Sequence, residues 1–292
     1  MRGLIAVFHK ELEDYFTSWR FVILFALVFG VGILAIYMDA QYIRQEVVGA
    51  RHVFLLLYTT AGQSMPIFTA FVAFFMPIVG IALGFDAMNS EKNRGTMSRL
   101  LSQPIYRDSV INGKFLAGVA TIGIMLTSMV ILVGAMGLAM IGVPPGSEEI
   151  IRLMVFLIIG ILYGAFWLGV SILFSIIFLR TSTSALASIA IWILFLFMFL
   201  FPFFVQSEQA ELSLLVMRVS PIMVFWQVIT ILLLPNARTI GQMLQGGVVP
   251  QSALSLDQSL LTITPHLVSL ILLTVICFAI SYTKFMREEI RA

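Results

Sequence analysis

Six stretches of this chain, at about 20–38, 66–85, 115–142, 152–179, 185–205 and 266–284, are long runs of apolar residues. A bilayer core takes roughly 17–25 such residues as one helix, and lipid offers a backbone amide no partner beyond that helix. The runs therefore restrict the chain to an all-α integral membrane protein with six transmembrane helices. Composition enters only as a check. Charged residues make up 11% of the chain, against about 25% in a soluble domain, and mean hydropathy is +1.03. That is too little charge to cover a solvated surface. The third and fourth runs exceed the hydrocarbon thickness and are expected to tilt or project. The first begins behind an acidic and aromatic stretch, and no small-residue cleavage site follows it. It is expected to be a retained span, not a signal peptide.

Orientation follows from Lys and Arg, which concentrate on the cytoplasmic side. With the N-terminus inside, residues 1–20, 86–114, 180–184 and 284–292 are cytoplasmic and carry 12 of the 17 basic residues. Arg44, Arg51, Arg152, Arg218 and Arg238 fall outside. Both termini are thus expected in the cytoplasm, and residues 1–292 form a single transmembrane domain. Within 1–19, Leu4, Ile5, Phe8, Leu12, Tyr15, Phe16 and Trp19 recur at helical spacing, with Lys10, Glu11, Glu13, Asp14 and Thr17 opposite. This predicts an interfacial helix on the inner face, anchored by Trp19. In 39–65, Val47, Val48, His52, Leu55 and Leu56 alternate with charges and predict an amphipathic helix at the outer surface. The segment 206–264 is expected outside, with 221–234 as a re-entrant or interfacial helix. A full crossing there would place the basic tail KFMREEIRA on the wrong side.

Several kinds of chemistry are excluded. Ion-coupled transport needs ionisable groups within spans, and these spans hold them only at their ends, as Arg20, Asp86, Arg152 and Lys284. No H-E-x-x-H or G-x-S-x-G occurs. His9, His52 and His266 lie far apart, and the single cysteine, Cys277, sits in an apolar run. No metal site is expected. The 16 Met and 25 Phe are read as packing between helices. A net charge of +2 offers no surface for nucleic acid. A phosphate loop needs G-x-x-x-x-G-K-[ST]. The one Gly-Lys pair, Gly113–Lys114, is followed by Phe115, so any ATP and Mg must be bound by another chain. Gly160-x-x-x-Gly164 matches the small-residue packing pattern and points to close helix contact.

One polar stretch stands out: GFDAMNSEKNRGTMSRLLSQPIYRDSVINGK at 84–114. It holds eight charged residues, Asp86, Glu91, Lys92, Arg94, Arg99, Arg107, Asp108 and Lys114. Residues 91–103 can form a short helix with Met97, Leu100 and Leu101 on one face, ended by Pro104. Asp108 or Ser109 can cap the next helix. A charged helix with a few apolar knobs suits a groove on a partner. It would equally serve as a solvated loop obeying the charge rule.

The stretch resembles the signature of type-2 ATP-binding-cassette (ABC) permeases. The matching positions are Gly84, Asp86, Glu91, Arg94-Gly95-Thr96, Leu100-Leu101, Pro104-Ile105, Arg107 and Gly113-Lys114. The N-terminal helix with Lys10-Glu11, the six spans, the helical segment before the sixth and the basic tail fit the same family, in the subgroup with separate permease and ATPase chains. The resemblance implies an ATPase-coupling role for Asp86, Glu91, Arg94, Gly95, Thr96, Leu100, Leu101, Pro104, Arg107, Gly113 and Lys114. It also implies two ATPase subunits seated on the 91–103 coupling helices, and a second permease chain forming a homodimer. The chain itself would be a transport subunit, not an enzyme, of an exporter in a prokaryotic cell membrane. Gly95 would allow close backbone approach, and Glu91 and Arg94 would supply polar contacts to the ATPase. The competing readings are an ATP-independent carrier or channel, and a non-transporting membrane anchor. No substrate is named: an amphipathic drug, a peptide, a lipid or an extracytoplasmic assembly task all fit an aromatic, Met-rich interior.

Overall fold

The computed structural model describes residues 2–46, 53–59, 67–93, 95, 106–204, 220–233 and 254–287, and every regular element among them is a helix. These are α1 (Arg2–Thr17), α2 (Trp19–Glu46), α3 (Val53–Thr59), α4 (Ile67–Gly84), α5 (Asn89–Asn93), α6 (Arg107–Ile141), α7 (Ser147–Ile177), α8 (Thr181–Phe204), α9 (Pro221–Leu233) and α10 (Leu256–Arg287). Six helical stretches are long and apolar enough to cross a membrane: Trp19–Met38, Phe68–Asn93, Arg107–Ile141, Ser147–Ile177, Thr181–Leu200 and Leu256–Arg287. They coincide with the six runs read from sequence. One end of the bundle carries α1, α5 and the end of α10, and is called the basic end. The other is the far end.

The bundle is built around α7. Residues 163–172 of α7 are buried on every side, as expected of a helix that is apolar all round. In contrast, α8 and α10 expose Leu186, Phe197, Leu272 and Val275, the pattern of helices facing an apolar surround. Small residues let the backbones close up. A Cβ at Gly80 of α4 would stand 2.9 Å from the Gly164 carbonyl of α7, and one at Gly164 would stand 2.8 Å from Ile122 of α6. The Gly160–Gly164 pair therefore does pack tightly, against Leu126 and Ile122.

Three elements differ from their sequence reading. Leu55, Leu57 and Tyr58 of α3 are buried against α2, α4 and α6, and the Tyr58 hydroxyl donates to the Val130 carbonyl at 3.0 Å. The segment after the first span thus inserts into the bundle at this point and does not lie on its surface. Gly134 and Gly137 of α6 leave the space that Phe54, Tyr58 and Leu57 fill. Val47, Val48 and His52 lie outside the described residues. Helix α6 begins at Arg107, behind Tyr106, so neither Asp108 nor Ser109 is its N-cap. Asp108 sits inside the first turn, where its carboxylate accepts the Ser109 N–H at 2.7 Å and faces the positive end of the helix dipole. Helix α10 starts ten residues before His266 and contains Pro265. A reciprocal pair at 3.4 Å, Gln258 N–H to Ser255 Oγ and Ser255 N–H to Gln258 Oε1, caps it.

Helix α9 lies alongside α7. All its residues except Gln227 are buried. Phe225 stacks on Tyr163, midway along α7, with centroids 4.1 Å apart, while the Leu232 carbonyl sits 2.7 Å from Arg152 near the start of α7.

Candidate functional site

At the basic end, α1 crosses the start of α6 at Gly113. A Cβ there would stand 2.8 Å from Val7 Cγ1 and 3.3 Å from the Phe8 amide nitrogen, so only glycine permits the crossing. That approach sets the next residue, Lys114, against α1. The Lys114 ammonium is 2% exposed and bonds Glu11 Oε1 at 2.8 Å and Glu91 Oε1 at 3.0 Å. Lys10 Nζ reaches the same two oxygens at 2.8 Å and 3.3 Å, and Asp14 Oδ2 at 3.2 Å. Two lysines and two glutamates thus tie α1, α5 and α6 into one knot. The stripe of α1 facing the protein includes Val7 and Glu11, so Glu11 is not on the solvated face its sequence position suggested. Trp19 is 80% exposed, free to face a membrane interface.

A second tie joins the α1–α2 junction to the end of α4. Arg20 Nη1 pairs with Asp86 Oδ2, its guanidinium lies 5.0 Å from the Phe85 ring centroid, and the Tyr15 hydroxyl donates to the Leu83 carbonyl at 2.9 Å. A third joins α5 to the end of α7. Ser175 Oγ accepts the Met88 and Asn89 N–H groups at 2.9 and 3.2 Å. Asn93 Nδ2 donates to the Leu179 carbonyl at 2.9 Å, and Lys92 Nζ to the Ile176 carbonyl at 3.5 Å. Gly84 makes this possible, since a Cβ on it would meet Ser171 at 2.9 Å. The Arg107 guanidinium lies 5.8 Å over the Phe285 ring of α10.

Of the residues singled out from sequence, Asp86, Glu91, Arg107, Gly113 and Lys114 gather here. Gly95 takes φ +66°, and nothing lies within 4 Å of where a methyl would project, so the left-handed backbone of a turn is what calls for glycine there. Helix α5 ends at Asn93 and Gly95 stands in a turn, so 91–103 is not the single helix expected from sequence; Arg94, Thr96, Leu100, Leu101 and Pro104 lie outside the described residues. Sequence reasoning missed Tyr15, Arg20 and Ser175 as partners. Periodicity places Tyr15 on the apolar face of α1 but names no partner for any of the three, because their bonds span many residues of chain.

The electrostatics have a clear sign. Burial alone would raise the Glu11 carboxyl, but Lys114 and Lys10 hold it below its ordinary 4.5. Burial likewise disfavours the Lys10 ammonium, yet Glu11, Glu91 and Asp14 raise it well above 10.5. A depressed carboxyl contributes stability above its unfolded value, which is lost as pH falls through the lower folded one. A raised ammonium contributes below 10.5 and loses that as pH rises toward its folded value. Docking of α1 should therefore be constant across neutral pH and weaken in acid below about 4.5. Protease accessibility of α1 measures this. Glu11→Gln should flatten the acid limb, and an unchanged limb would show that other groups control it.

The site is a mechanical junction. Among the described residues no three His, Cys, Asp or Glu side chains converge to hold a metal. Lys114, in the one Gly-Lys pair, is buried between two carboxylates. Held there, it does not fit a phosphate-binding role. A family model described as ABC-2 family transporter protein matches residues 5–290. The chain belongs to the ABC-2 transporter family. It is similar to the "Probable ABC transporter permease protein NosY" of Pseudomonas aeruginosa, at 29% identity over 125 residues. That match covers 42% of this chain and 40% of the relative, less than half of either. Family and spans together make this ABC-2 chain a multi-pass membrane protein.

Proposed function

We propose that this ABC-2 chain is the permease subunit of an ABC exporter, driven by ATP hydrolysis on a separate ATPase. The observation that carries the reading is the knot of Lys10, Glu11, Glu91 and Lys114. It fixes the head of the segment 91–103 to α1 and α6, while Lys92 and Asn93 tie it to the end of α7 and the residues just after it. A partner that displaces this segment would therefore move three helices together, as a coupling element must. Two ATPase subunits, carrying ATP and Mg, and a second copy of this chain complete the transporter. It sits in the cell membrane with both termini cytoplasmic. Helix α9, packed along the far half of α7, supports a re-entrant element between the fifth and sixth spans.

Co-expression with a candidate ABC ATPase subunit tests the reading. The full chain should capture that ATPase in detergent and alter its rate of hydrolysis. Deleting 95–103 should abolish capture and leave α-helical content and membrane insertion intact. Capture by the deletion variant would refute docking at this segment.

A further inference from the structure

The far end contains a buried cation that the basic-end junction does not explain. Arg152, in the second turn of α7, is 0% exposed. A guanidinium has five N–H donors in a rigid planar fork, and here all five are matched. Nε and Nη2 donate to Glu148 Oε1 at 3.1 and 2.8 Å. Nη2 also donates to the Leu254 carbonyl at 2.9 Å. Nη1 donates to the Leu232 carbonyl at 2.7 Å and to Ser259 Oγ at 3.2 Å.

These acceptors belong to different parts of the chain. Leu232 is in the last turn of α9, where carbonyls have no helical partner and the helix dipole favours a cation. Leu254 precedes α10, and Ser259 is in its first turn. Three residues earlier, Glu149 Oε1 accepts the Phe54 and Leu55 N–H groups of α3 at 3.1 and 3.3 Å. Its other oxygen accepts the Gly146 N–H at 2.7 Å. The contacts of α9 with α4 and α8 are, by contrast, largely apolar, such as Trp226 with Phe74 and Phe199.

We infer that Arg152 is the positioning residue that holds α9 and the start of α10 on α7, so that these three elements move as one body. A buried charge whose donors are all bonded resists separation, because each lost bond leaves a polar group unsatisfied away from water. The seam between α9 and α8 has less of this penalty, since beside its apolar contacts it carries the Ser220 Oγ bond to the Phe195 carbonyl at 3.4 Å, whereas α4 is itself hydrogen-bonded to α7 through Tyr163 and Ser171. If the chain transports as proposed above, the far end rearranges along the α9–α8 seam. The body itself does not depend on that reading, because it can be measured on the full chain without an ATPase.

Hydrogen exchange of the full-length protein in lipid nanodiscs tests it. Arg152→Met keeps the apolar stem and removes the fork. It should speed exchange at least tenfold across α9 and residues 254–259, and leave α1 and the start of α6 unchanged. Arg152→Lys keeps the charge but has three donors on one nitrogen, and should not restore protection. Ser259→Ala, a milder change that keeps the fold, should speed exchange only at the start of α10. Glu149→Gln should affect α3 without affecting α9. Full protection of α9 in Arg152→Met, restoration by lysine, or a uniform rise over the whole chain would each overturn the inference.

Discussion

Replacing Lys114 with methionine should destabilise the protein by about 3 kcal/mol or more, since removing one partner of a buried ion pair leaves an uncompensated buried charge. The two carboxylates it serves are mostly buried, with Glu11 8% and Glu91 12% exposed at the side chain. Lys10 would remain 2.8 Å from Glu11, but its side chain is 49% exposed and reaches Glu91 only at 3.3 Å, so it offsets only part of the loss. The loss should concentrate in α1, because Gly113 beside it offers α1 no alternative side-chain grip. Equilibrium unfolding in detergent measures the total, and exchange at α1 amides locates it. The combined variant Lys114→Met, Glu11→Gln, Glu91→Gln should recover much of the loss, as replacing a whole buried ionic cluster is often nearly neutral. A single variant losing under about 1 kcal/mol, the range of an exposed pair, would show that the knot contributes little to holding α1. A combined variant as unstable as the single one would show that packing, not charge, is responsible.

Gly80→Val should be comparably severe. Overpacking typically costs about 1–3 kcal/mol, and sometimes more. At Gly80 the obstacles to a Cβ are the Gly164 carbonyl, the Leu168 amide nitrogen and Trp167 Cβ, all at 2.9 Å. None is the far end of a flexible side chain, so α4 must separate from α7. That separation would also draw Ser171 and Ser175 away from the Ile81 carbonyl and the Met88 and Asn89 amides, which they bond at 2.9–3.2 Å. The variant should therefore lose both thermal stability and ATPase stimulation, while Gly80→Ala loses less of each. Gly30→Ala is the control: nothing lies within 4 Å of the added methyl, and alanine favours a helix over glycine by up to about 1 kcal/mol. Equal losses at positions 30 and 80 would refute the packing explanation.

Much of the basic end is legible in the sequence. Asp86, Glu91, Arg107, Gly113 and Lys114 stand out as polar or small residues in an apolar chain, and they do converge. Their partners are less legible. Glu11 looks solvated because helical periodicity sorts residues by polarity, and a buried carboxylate bound by two lysines defeats that sorting. Ser175 and Tyr15 look like ordinary filler, because a hydroxyl's role depends on which backbone group is opposite. The start of α10 is readable in Ser255-Leu256-Asp257-Gln258, a capping box, but Pro265 suggests a later start. Proline removes one donor without forbidding helix on both sides when the surround supports it.

Run length and composition already fix the solvent of this protein, and with it the helices. A lipid core leaves the backbone no alternative, so six long apolar runs suffice to place six spans. Which side chains meet depends on how the helices pack. The α3 segment inserts in the bundle because Gly134 and Gly137 leave room for it. Glu11, Glu91 and Lys114 share one site because Gly113 lets α1 approach α6. Arg152 is a bolt and not a stray charge because α9 and the start of α10 turn two carbonyls and a hydroxyl toward it. Periodicity along one helix cannot report these facts, since each is a property of two or more backbones brought to contact distance.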